Sequence, residues 1–175
     1  MGEDVASLVR RLEVLEAREA IRDLKYRYFR GCDHQCPADV AACFAPGAVV
    51  IDYQEFPRFE TREAFAEIFG AMGCVPEIVD MHHGQNPVIT LTGTNSAEGV
   101  WDMFYFNMNL AARTAVQLAG EYRDLYVRVD GAWLITSTVF RRSSVMTWAI
   151  GEDGAVVCSG LGRSAASRPS EAWAA

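Results

Sequence analysis

Hydrophobic positions divide the chain into a helical first half and a strand-rich second half. Val5, Leu8, Leu12 and Leu15 recur at helical spacing and are continued by Ile21, Leu24, Tyr28 and Cys32, with charged residues between them. No Pro or Gly interrupts Glu3 to Arg30. The spacing predicts one long amphipathic helix over residues 3–31, bent or broken near Ala17 and stopped by Gly31. A short helix is expected from Pro37 to Phe44, because Pro suits a first helical turn. Pro46-Gly47 marks a turn. Ala48–Tyr53 (AVVIDY) is β-rich, and Phe56–Phe59 is expected to return as a short strand. Thr61 is suited to cap a third helix with the stripe Phe65, Ile68, Phe69 and Met72, ending at Gly73.

Beyond Pro76 the pattern becomes extended. Segments 77–91, 96–110, 113–129 and 132–148 each read as long strands, with turn chemistry at Gly93-Thr94-Asn95 and Asp130-Gly131. The expected architecture is α+β: one antiparallel meander curved around helices from the first half. Residues 1–150 are expected to form a single domain. Residues 151–175, rich in Gly, Ser and Ala, are expected to be a loosely held tail.

Composition narrows the function classes. The 175 residues are 50% hydrophobic and 22% charged, as in a globular protein. No apolar run approaches the ~18–20 residues that cross a bilayer. Met1-Gly2-Glu3-Asp4 lacks the basic start and apolar block of a secretory signal, so a cytoplasmic location is expected. The formal charge of −7 argues against a nucleic-acid surface, which needs clustered Lys and Arg. Five cysteines at irregular spacing (Cys32, Cys36, Cys43, Cys74 and Cys158) are expected to be reduced thiols. Cys32-x3-Cys36 with His34 lacks the second ligand pair of a compact zinc site. There is no Gly-rich phosphate loop and no G-x-S-x-G elbow. No metal or cofactor is expected.

Three stretches in order resemble the NTF2-like superfamily, in its SnoaL-like branch. They are Ala20-Ile21-Arg22-Asp23-Leu24 running to Tyr28 and Asp33, His82-His83-Gly84-Gln85-Asn86-Pro87-Val88-Ile89, and Gly120-Glu121-Tyr122-Arg123-Asp124 running to Trp133. The resemblance covers roughly residues 5–148. It implies a cone-shaped barrel in which a curved sheet wraps around N-terminal helices. Members include scytalone dehydratase, bile-acid 7α-dehydratase, lindane dehydrochlorinase, polyketide cyclases, ketosteroid isomerase and a formaldehyde-releasing diarylpropane lyase. The resemblance implies proton abstraction in an apolar cone without metal or coenzyme. The same fold also hosts non-enzymes, so function rests on the site itself.

By that resemblance Asp33 and His82 occupy the positions of a carboxylate–imidazole pair. Imidazole suits proton transfer near neutral pH, and a carboxylate on its other ring nitrogen fixes the tautomer. His83, next along a strand, must point to the opposite face, and Asn86 favours His82 by the family pattern; His34 is a spare. Tyr28 matches a polar family position and can hold a carbonyl or a leaving oxygen. It lies five residues from Asp33, about 140° round a helix. The two share a pocket only if the helix ends near Gly31. Arg141, or Asp102, is the expected helper. The match is imperfect, because counting from Trp133 the dehydrochlorinase's arginine falls at Thr138. Phe29, Tyr53, Trp101, Asp102, Phe104 and Tyr122 are expected to contact substrate.

The expected function is that of a cofactor-independent lyase acting on a hydrophobic, ring-containing small molecule. A proton would be abstracted and water or formaldehyde lost. An isomerase or cyclase of the same fold stays open. So does a non-catalytic module such as a ring-hydroxylating dioxygenase small subunit. A homodimer or homotrimer is expected from the long apolar stripe of the first helix.

Overall fold

The computed structural model describes residues 4–54 and 56–163. Helix α1 spans Val5–Asp33, α2 Pro37–Ala42 and α3 Arg62–Met72. The strands are β1 (Ala48–Tyr53), β2 (Phe59–Thr61), β3 (Ile78–Leu91), β4 (Ser96–Asn109), β5 (Thr114–Val129), β6 (Ala132–Ile150) and β7 (Val156–Arg163). They form one curved, unclosed sheet in the order β2-β1-β6-β5-β4-β3, antiparallel except where β1 runs parallel to β6. The α+β cone expected from the sequence is the fold observed.

Local chemistry explains most boundaries. Asp4 caps α1 and Thr61 caps α3, the latter accepting from the Ala64 N–H at 3.2 Å. Asp130 (φ 50°) and Gly131 (φ 84°) are both left-handed, the conformation a type I′ hairpin between β5 and β6 requires. β3 carries a bulge between Gln85 and Val88, where Asn86 turns left-handed (φ 48°) and Pro87 is spared a ladder hydrogen bond. Two more bulges bend the β5–β6 ribbon, at Ala119/Gly120 and Leu125/Tyr126.

Two expectations about α1 are corrected. The helix is continuous through Ala17, and it does not stop at Gly31. A Cβ at Gly31 would lie 3.0 Å from Val40, so this glycine serves the close approach of α2. The stop comes at His34, and Gln35 (φ 54°) supplies the left-handed turn. The Gln35 amide then donates to the carbonyls of Val75 and Ile78 at 3.0 and 2.8 Å, tying the start of β3 to the end of α1.

The first part of the expected tail, up to residue 163, is paired strand. β7 pairs with residues 144–150 of β6, while β1 pairs with 137–140 on that same long strand. Seven of the residues after Gly151 thus carry ladder register, with Val156, Val157 and Leu161 among them; 164–175 lie outside the described residues. The return strand near residue 56 is displaced to Phe59–Thr61.

The core lies between the second half of α1, α2 and the inner face of the sheet. Ile21, Leu24, Phe44, Ile51, Trp101 and Ile135 are fully enclosed, each side chain stabilising the fold by about 1.5–3 kcal/mol relative to exposure. Burial on α1 begins at Ala17, and the residues before it contribute nothing to this core. Within the core sits a charged pair, with the Lys25 ammonium 2.8 Å from Asp124 Oδ2 and both side chains wholly buried. Asp124 also accepts from the Tyr126 hydroxyl (2.7 Å), which in turn accepts from the Trp101 indole N–H (2.9 Å).

Candidate active site

The sheet and helices enclose a cavity of about 310 Å³, walled mainly by aromatic and aliphatic side chains. α3 contributes Phe65, Ile68, Phe69 and Met72, which is the stripe that its sequence pattern displays. β4, β5 and β6 contribute Met103, Leu118 and Phe140. Such a lining suits an apolar, ring-containing occupant. Polar groups reach the cavity in three places.

The first is His82. Its Nδ1 lies 2.6 Å from Asp33 Oδ1, and its backbone N–H donates to both Asp33 oxygens at 3.0 and 3.2 Å. Asp33 thus holds the ring and the backbone that carries it. The Phe29 ring stacks nearly parallel on the imidazole at 5.9 Å, and Tyr105 packs against it at 4.6 Å. Gly84 makes the Phe29 placement possible, because a Cβ there would strike that ring. In the neutral imidazole, an Nδ1–H directed to the carboxylate leaves the lone pair on Nε2. That is the tautomer of a general base.

The second is a pair of tyrosines. The hydroxyls of Tyr28 (α1) and Tyr53 (β1) lie 2.5 Å apart, and Tyr122 packs edge-on to Tyr53. Burial pushes the phenol pKa of all three upward. These hydroxyls therefore keep their protons and act as neutral hydrogen-bond donors. The third place is a cluster on β3 and β4, in which Asp80 Oδ1 accepts from the Tyr105 hydroxyl (2.6 Å) and the Asn107 amide (2.7 Å).

Asp33, His82, Tyr28, Tyr53 and Tyr122, all named from the sequence, are brought together here. Asp33 and Tyr28 are reconciled without an early helix stop. Tyr28 faces the cavity, while Asp33, from the last turn, reaches His82 from outside it. Phe29 is placed behind His82 and does not line the cavity. Four other candidates are corrected. Trp101 is buried in the core, its indole bonded to Tyr126. Asp102 is on the solvent side and accepts from Asn86 at 2.8 Å. Phe104 is 39% exposed on the outer face of β4. Arg141 alternates with the inward Phe140 and makes a two-pronged bond to Asp52 (3.0 and 2.8 Å) that ties β6 to β1. Strand parity explains three of them: Met103, Tyr105 and Phe140 take the cavity face, so Asp102, Phe104 and Arg141 take the other. Trp101 shares the inner face of β4 but is packed in the core away from the cavity lining.

His83 and His34 are both exposed, in agreement with the preference for His82. Cys32 lines the cavity, but burial raises its pKa and keeps it a thiol. Among the described residues no group of three His, Cys, Asp or Glu is arranged to hold a metal. No helix there is long and apolar enough to cross a membrane. Asp80 and Asn107 were missed from the sequence. The available signal was parity, since Asp80 stands two residues before His82 and Asn107 two after Tyr105.

Comparison with known proteins agrees with this fold. Residues 13–139 match the SnoaL-like domain family. A scytalone dehydratase-like protein from Novosphingobium aromaticivorans superposes with a TM-score of 0.70 at 22% identity, over 76% of this chain and 88% of its own. Hexachlorocyclohexane dehydrochlorinase LinA type 2 gives 0.71 at 19% identity, over 79% and 93%. LinA type 3 from Novosphingobium barchaimii gives 0.66 at 17%, over 89% and 94%. At such identities the likeness speaks for the fold.

Proposed function

The chain belongs to the SnoaL-like domain family, and on that premise we propose that it is a cofactor-independent lyase for a hydrophobic, ring-containing small molecule. The observation that carries the reading is the 2.6 Å contact between His82 Nδ1 and Asp33, at the wall of an apolar cavity. In this reading His82 Nε2 takes a proton from carbon or from a hydroxyl of the substrate. Asp33 keeps the imidazole in the required tautomer and balances the imidazolium that forms. The Tyr28–Tyr53 pair donates to a substrate oxygen, which gains charge as the proton leaves. The leaving group is water, whose oxygen takes the proton back from the imidazolium, or formaldehyde, in which case the proton returns to the carbon that keeps the electrons of the broken C–C bond.

The similarity to a dehydratase-like protein and to dehydrochlorinases supports the lyase class over a pure binding role. So does the geometry, because a binding module has no need of an oriented imidazole in a cone. The experiment is to incubate wild type, His82→Gln and Asp33→Asn with hydroxylated diaryl and steroid-like compounds, without added cofactor. Mass spectrometry would follow the loss of water, and a formaldehyde trap the other product. His82→Gln is expected to lower turnover by ~10²-fold or more, with Asp33→Asn intermediate. Equal turnover by wild type and His82→Gln would exclude His82 as the base.

A further inference from the structure

The Asp80 cluster has no role in the chemistry assigned to His82, Asp33 and the tyrosine pair, yet it is built into the same cavity. Asp80 and His82 stand two apart on β3, hence on one face and about 6.6 Å apart along the strand. Their cross-strand partners on β4 are Asn107 and Tyr105 respectively. All four side chains line the cavity and form one contiguous polar patch in an otherwise apolar wall.

The hydrogen-bond directions within this patch leave it one-sided. Tyr105 and Asn107 both donate to Asp80 Oδ1. Among the described residues no hydrogen bond reaches Asp80 Oδ2. The Tyr105 hydroxyl has spent its only proton on Asp80, and the Asn107 amide gives one N–H to Asp80 and turns the other towards the Tyr105 oxygen, so that its carbonyl oxygen is left over. What remains for an occupant is therefore a pair of acceptors: Asp80 Oδ2 and the Asn107 carbonyl. The Tyr28–Tyr53 pair is the opposite kind of site, in which one buried phenol donates to the other and one phenol proton is left to give.

We infer that Asp80, supported by Tyr105 and Asn107, is a specificity residue that binds a hydroxyl group on the substrate's ring. This inference rests on the reading of the cavity as a small-molecule site and narrows the substrate class to hydroxylated ring compounds. The hydroxyl donates to Asp80 Oδ2, and the ring then extends along β3 towards His82. An ether, a halide or a bare C–H at that ring position leaves the carboxylate oxygen without a donor while burying it.

The test is a binding measurement, independent of turnover. 2-Naphthol, 2-methoxynaphthalene and naphthalene serve as probes, titrated by calorimetry or ligand-observed NMR against wild type, Asp80→Asn and Asp102→Asn. Wild type is expected to bind 2-naphthol about tenfold or more tightly than the other two, as suits a hydrogen bond to a charged acceptor. Asp80→Asn preserves volume, and its carbonyl can still accept from Tyr105 and Asn107 while its NH₂ replaces Oδ2. That variant is expected to lose the preference for naphthol and to favour the methoxy probe, with an unchanged melting temperature. Asp102→Asn, on the solvent side, is expected to keep the wild-type preference. No naphthol preference in wild type, absence of binding included, would overturn the inference. The same ranking in Asp80→Asn as in wild type would also overturn it. Failure of the lyase reading shows elsewhere, as unchanged turnover in His82→Gln.

Discussion

At the scale of single residues, two carboxylate contacts with different burdens lie close together. Asp33–His82 is partly solvated, and in the proposed reaction its carboxylate holds the ring that accepts a proton. Lys25–Asp124 is entirely enclosed. Burial pulls the Lys25 pKa down and the Asp124 carboxylate pushes back, with the downward effect the larger. The ammonium also lies 3.7 Å from the centre of the Tyr122 ring, against the face that carries the π density. The pair therefore sits behind the tyrosine wall of the cavity, and removing one partner strands the other in an apolar medium. Lys25→Met is expected to cost about 3–5 kcal/mol in urea denaturation. The double variant Lys25→Met/Asp124→Asn should cost less than Lys25→Met alone, because no unpaired charge remains. A double variant worse than the single would mean that packing, and not charge, dominates at this site.

At the scale of elements, the cavity depends on how β1 and β6 are joined. They are the only parallel pair in the sheet among the described residues, over a short register from Val50 to Tyr53. Arg141 and Asp52 reinforce this seam on the outer face, while Phe140 and Tyr53 face the cavity. The hydrogen bonds from Arg141 hold the Asp52 pKa below the usual carboxylate value, against the opposing effect of burial. Because the folded-state value is the lower one, the stabilisation stands in full above about pH 4, the ordinary carboxylate range, and is lost as pH falls through the folded value. Both side chains are about a quarter exposed or more, so the contribution is modest. Arg141→Met is expected to destabilise by about 1 kcal/mol at pH 7, a difference that shrinks towards zero as the pH falls below 4. Denaturant titrations across that range would check it, and a constant difference would mean that the guanidinium acts through packing alone.

At the scale of the whole molecule, the first half of α1 is the feature the protomer does not explain. Val5 (72% exposed), Leu12 (55%) and Leu15 (61%) repeat at alternating spacings of three and four with Leu8, and burial starts only at Ala17. A second copy of this helix matches that spacing, since an apolar seam with a 3.5-residue period is what pairs two helices. The expectation of self-association therefore belongs to this stripe. Leu8→Glu/Leu12→Glu is expected to lower the sedimentation coefficient from that of an oligomer to that of a monomer, with little change in protomer stability because neither side chain is in the core. A monomeric wild type would refute it.

Periodicity was enough to set the helices, the four long strands, the Asp130-Gly131 hairpin and the Thr61 cap, because each is decided by neighbours a few residues away. The Asp33–His82 pair was legible through the family pattern, and the choice of His82 over His83 through strand parity. Contacts between distant segments decided the rest. Gly31 reads as a helix stop, yet it is the approach of Val40, nine residues on, that requires it. Arg141 and Asp102 read as helpers, but the sheet's parity turned them outward to Asp52 and Asn86. Asp80 carries no motif of its own. Only the pairing of β3 with β4 brought Tyr105 and Asn107 to one of its oxygens and left the other for an occupant.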